Sequence, residues 1–87
     1  MDNKPFVRDT AITLNASGSF MTGSQLADSL NLNGRTTTYG TSYKGARGTY
    51  TLIHSTYEWL HHGGFRSEAD IVARVFLNQY GDHAWDK

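Results

Sequence analysis

The chain has 87 residues, one tenth of them glycine, with no cysteine and eight basic residues balancing eight acidic ones. That length allows one small domain and no second core, and the missing cysteine excludes disulfides, thiolate catalysis and Cys-ligated zinc. Zero net charge argues against a globally basic nucleic-acid binder, but no acid occurs between Asp28 and Glu58, where Arg35, Lys44 and Arg47 lie.

Residues 1–9, polar and carrying the single proline Pro5, are expected to form a loose arm ahead of a globular domain over 10–87. In "TAITLN" (10–15), Ile12 and Leu14 alternate with Ala11, Thr13 and Asn15, which predicts a short half-buried strand. "ASGS" (16–19) reads as a turn. The next stretch, "FMTGSQLADSLNL", carries a full set of helix-start signals. Thr22 is the expected N-cap, Gln25 closes a capping box, and Met21 with Leu26 forms a hydrophobic staple. A helix is predicted over 23–31, with Leu26, Ala27 and Leu30 as its apolar stripe.

From Thr49 to His62, Tyr50, Ile53, Tyr57 and Leu60 recur at steps of three, four and three, and Gly63–Gly64 follows as a stop. A third helix is expected from a Ser67 cap to Tyr80, ended by Gly81, with Ile71, Val72, Val75, Phe76 and Tyr80 on its buried face. In the tail "DHAWDK", Trp85 is expected to fold back onto the core. No apolar run reaches the roughly 20 residues a membrane span needs, and "MDNKPFVRDT" lacks the apolar centre of a signal peptide. The expectation is a soluble, cytoplasmic protein.

The segment "NGRTTTYGTSYKGARGTY" (33–50) carries the strongest functional signal. "YKGARGTY" sets two glycines and two cations just before a predicted helix, whose unpaired N–H groups and positive dipole end suit an anion. The P-loop pattern is absent, so nucleotide hydrolysis is not expected. Tyr39 and Tyr43 with Thr36 and Thr38 add stacking groups and hydroxyls of the kinds that contact a nucleic-acid backbone. The plain alternative is a polar connection whose tyrosines cover the edge of the core.

"TGSQLADSLNLNGRTTTYGTSYKG" resembles the helix-turn-helix of small DNA-binding regulators. "QLADSL" is similar to their first helix, with Ala27 as the small residue at the crossing, Asn31 at the turn and Leu32 just after it. The resemblance implies a recognition helix beginning near Gly34, with Arg35, Thr36, Thr38 and Tyr39 facing the major groove. A winged variant makes 36–56 a β-hairpin with "KGAR" at its tip. Both versions place the same cations on DNA.

"HSTYEWLHH" aligns His54, Glu58 and His61 or His62 on one side of a helix, and Glu58 with His61 matches a Glu-x-x-His step. One helix cannot surround an ion, so a solvated polar face is the expectation, with no metal and no cofactor. No serine lies in a Gly-x-Ser-x-Gly elbow, and nothing brings two carboxylates together, so no enzyme is expected. The sequence therefore points to an α+β, mainly helical domain of helix-turn-helix or winged-helix type with a short N-terminal strand. Its expected role is that of a small DNA-binding accessory or transcription-regulating protein acting as a dimer. Arg35, Lys44 and Arg47 would lie on phosphates, Tyr39 and Tyr43 on the backbone, and Thr36 and Thr38 near base edges. The alternative is a module or inhibitor that docks on a larger protein through Trp59, Tyr43 and Tyr50.

Overall fold

The computed structural model describes residues 2–77. Its elements run α1 (Lys4–Ser17), β1 (Met21–Thr22), α2 (Gly23–Leu32), α3 (Ala46–His62), α4 (Arg66–Val75) and β2 (Phe76–Leu77). The architecture is α+β and mainly helical, with β1 and β2 paired in parallel so that Met21 lies opposite Phe76 and Thr22 opposite Leu77.

The expected N-terminal strand is not there: residues 10–15 sit inside α1, which also takes in residues 4–9 of the expected arm. Val7 and Ala11 are fully buried and Leu14 packs against the core, whereas Ile12 is 39% exposed. The face that counts thus steps by four and three, and the Ile12/Leu14 alternation is incidental to it. Pro5 lies in the first turn, where its missing N–H costs nothing, and Gly18 ends the helix at φ 68°. The hydroxyls of Thr13 and Ser17 bond back to the carbonyls of Asp9 and Thr13, at 3.0 and 3.2 Å, so these residues tolerate the helix.

α2 begins as its sequence dictates. The Thr22 hydroxyl accepts from Gln25 N–H at 3.2 Å, and the Gln25 side chain accepts from Thr22 N–H at 2.9 Å. Leu26, Ala27 and Leu30 are buried. Leu32, the apolar residue after the expected turn, is 87% exposed.

α3 starts three residues earlier than the Thr49 boundary, and its buried line is Thr49, Ile53, Thr56 and Leu60. Tyr50 and Tyr57 pack beside that line, partly buried. The two threonines are tolerated because each hydroxyl is bonded: Thr56 to Leu52 C=O at 2.7 Å, Thr49 to Ala46 C=O at 2.6 Å and to Gly23 C=O at 2.9 Å. Gly63 and Gly64 end the helix as expected, with Gly64 at φ 85°. α4 begins at Arg66 after Phe65, not behind a Ser67 cap, and the chain leaves it at Phe76. Phe76 is fully buried, but as a strand residue. The expected continuation through Tyr80 to Gly81, and Trp85, lie outside the described residues.

α2 and α3 meet at Gly23, whose carbonyl accepts from the Thr49 hydroxyl. A Cβ there would lie 2.7 Å from a Tyr50 ring carbon and 2.9 Å from the Thr49 hydroxyl. Gly23→Ala is therefore expected to lower the unfolding free energy by about 1–3 kcal/mol through overpacking. Urea denaturation of the two proteins side by side measures this.

Candidate nucleic-acid interface

Residues 33–45 contain neither the recognition helix nor the hairpin expected of them. They are nonetheless tied down, by two asparagines. Asn31, in the last turn of α2, accepts from Tyr43 N–H at 2.7 Å and donates to Tyr43 C=O at 2.8 Å. Asn3, the residue before α1, is buried and donates to Thr36 C=O and to the Tyr43 hydroxyl, both at 2.7 Å. Its amide is thereby diverted from capping α1. Asp2 serves that end instead, accepting from Lys4 N–H at 3.1 Å and pairing with Lys4 Nζ at 3.4 Å. The hydrogen bond from Lys4 N–H, with the nearby charge of Lys4, holds the Asp2 carboxyl below the usual carboxylate range.

Between those anchors the chain folds into a closed turn. Thr37 N–H donates to Thr41 C=O at 2.8 Å, Gly40 N–H donates to Thr37 C=O at 2.9 Å, and the two threonine hydroxyls lie 2.8 Å apart. Tyr39 stands at its tip, 91% exposed. Beyond Tyr43 the backbone turns at Gly45, φ 75°, and enters α3 with no side-chain cap and no acid in the first turn. A helix that starts this way leaves its first N–H groups and its positive end without a compensating side chain.

The expected site residues divide accordingly. Lys44 and Arg47 flank the start of α3, are exposed, and make no ion pair or side-chain hydrogen bond among the described residues. Thr38 and Tyr39 are exposed on the turn. Arg35 is not grouped with the other two cations, because it is half-buried with its guanidinium 5.3 Å from the centre of the Phe6 ring on α1. Thr36 is half-buried, and Tyr43 is held by both asparagines. These last two shape the surface more than they present one.

A groove of about 770 Å³ lies between the turn and α3, lined among others by Thr38, Tyr39, Thr51 and Ser55. Nothing local in the sequence marks Thr51 and Ser55. They look like ordinary polar helix residues, and only the docking of 37–43 along α3 gives them a facing wall.

A second groove, of about 990 Å³, includes Tyr50, Trp59 and Phe65. Trp59 is 39% and Phe65 58% exposed, and Arg8 from α1 covers the Trp59 ring at 5.8 Å. On the same helix Glu58 bridges His54 and His62, at 3.3 and 3.0 Å. Among the described residues no group of three His, Asp or Glu is arranged to hold a metal ion, and none of the helices is long and apolar enough to cross a membrane. No protein-family model, curated protein or solved structure matches this chain.

Losing the Asn31 side chain removes both bonds to Tyr43. Asn31→Ala is expected to cost about 1–3 kcal/mol, and to speed proteolytic cleavage within 35–44 before global unfolding. Limited proteolysis with mass-spectrometric mapping of the first cut site reads the second effect directly.

Proposed function

We propose that the protein is a small DNA-binding accessory or regulatory protein that grips the phosphate backbone with the start of α3 and the 37–41 turn. The observation that carries this reading is the uncapped, acid-free first turn of α3, with exposed Lys44 and Arg47 beside it and no acid competing for either cation among the described residues. Unpaired helix N–H groups and adjacent full charges are what a phosphate requires. In the finer, helix-turn-helix form of the proposal, α2 and α3 are the two helices and residues 33–45 are an extended turn. The exposed side of α3 that carries Arg47, Thr51 and Ser55 then faces the groove, in place of a separate helix over 35–45. The protein acts as a dimer in this form, which doubles the cations offered to one duplex.

With Arg35 engaged on Phe6, two cations per protomer remain for phosphates. Fluorescence anisotropy with random-sequence duplex DNA, from about 20 to about 200 mM salt, is expected to give a log–log slope of roughly two per protomer. Lys44→Ala with Arg47→Ala should remove most of that slope and weaken binding at low salt by roughly tenfold or more. Arg35→Ala should act mainly on stability. Absence of salt-dependent binding at the lowest salt would contradict the proposal.

The second reading, a module that docks on another protein, draws on the Trp59–Phe65 groove. Tyr43 and Tyr50, expected in that role, are packed against the core, so Trp59 and Phe65 carry it. Trp59→Ala should then abolish the partner interaction and leave DNA binding intact, whereas the double cation variant does the reverse.

A further inference from the structure

Tyr39 occupies a position in which its ring contributes little to the core. It is 91% exposed, yet the backbone beneath it is closed by the Thr37–Thr41 bonds and by the Gly40 N–H. Thr41 N–H adds a further contact to the Thr37 hydroxyl at 3.3 Å. A ring on a loose loop would cost ordering entropy to use, whereas a ring on a closed turn has much of that cost removed in advance.

The groove beside it has matching chemistry. Thr38, Thr51 and Ser55 offer exposed hydroxyls, each able to donate or accept. Among the described residues, the one acid on its wall, Asp2, is paired with Lys4. The volume of about 770 Å³ lies within the range of small-molecule sites and is ample for a nucleotide. An aromatic face next to a hydroxyl-lined, weakly charged groove, with Lys44 and Arg47 nearby in the chain, has the parts of a single-strand binding platform. Bases stack on such a ring whatever their identity, and cations track the phosphates. In an intact duplex every base is already stacked and out of the ring's reach.

We propose that Tyr39 is a base-stacking residue and that the adjacent groove receives an unpaired nucleotide, so that the preferred partner is DNA with a single-stranded or unstacked segment. This rests on the backbone-gripping reading above and specifies its ligand. Hydroxyl walls in place of a fixed set of donors and acceptors give little selection among bases.

The test uses the full chain, a fluorescein-labelled oligothymidine of about 12 nucleotides and a fully paired duplex of the same length, at low salt. Wild-type protein is expected to favour the single strand by roughly tenfold, the usual worth of one base–aromatic stack. Tyr39→Ala should lower single-strand affinity by roughly tenfold and duplex affinity by much less, which removes the preference, and Tyr39→Trp should keep it. The exposed ring makes all three proteins comparable in fold, which circular dichroism verifies. Equal affinity for both DNAs, or an equal loss on both in Tyr39→Ala, overturns this inference and leaves backbone binding standing. Binding to neither DNA overturns both.

Discussion

Asn31 makes with its side chain the two hydrogen bonds that a neighbouring strand would make to Tyr43. That pair of bonds decides what the chain between α2 and α3 can become. Once the N–H and C=O of Tyr43 are taken by a side chain, neither a helical ladder nor a hairpin ladder can pass through it. Asn3 extends the same constraint to the other flank by engaging Thr36 C=O, and ties the connection to the start of α1. The turn at 37–41 is the length of chain left over between these anchors, and Tyr39 is displayed because that length has nowhere inward to go.

The constraint also explains how a small domain sustains an irregular connection on its surface. Most loops run over the surface with their backbone open to water, whereas here Asn31 of α2 and Asn3, just ahead of α1, supply partners. Asn3 Oδ1 remains buried with no hydrogen-bond partner among the described residues, a cost of about 1–3 kcal/mol on general grounds. That cost is set against the two bonds made by the same amide. The helices below are held by other means: the Gly23–Thr49 contact, the parallel β1–β2 pair, and a core centred on Leu26, Leu30, Ile53, Val72 and Phe76.

The sequence was legible wherever a structural signal is local. Thr22 and Gln25 lie three positions apart, and the capping box they imply forms as read. Gly63–Gly64 likewise ends α3. It was misleading where a short window held two periods: Ile12 and Leu14 alternate like a strand, and only Val7, outside the window, reveals the helical face. It was illegible where the decision is tertiary. Nothing local links Asn31 to Tyr43 or Asn3 to Thr36, and the departure of Phe76 from α4 depends on β1, far back in the chain. Of the candidate site, Lys44, Arg47, Thr38 and Tyr39 are exposed. Arg35 and Thr36 are drawn inward by Phe6 and Asn3, partners that composition cannot reveal.

The surface from Thr38 to Thr51 thus carries exposed cations at the head of α3 and an exposed aromatic on a closed turn. The most direct measurement of its role is amide chemical-shift mapping of the labelled protein during titration with a short DNA. The expected result is a contiguous set of shifts at Thr38, Tyr39, Lys44, Arg47, Gly48 and Thr51, with Trp59 and Phe65 unmoved. Shifts centred on Trp59 and Phe65, or none at saturating DNA, would contradict it.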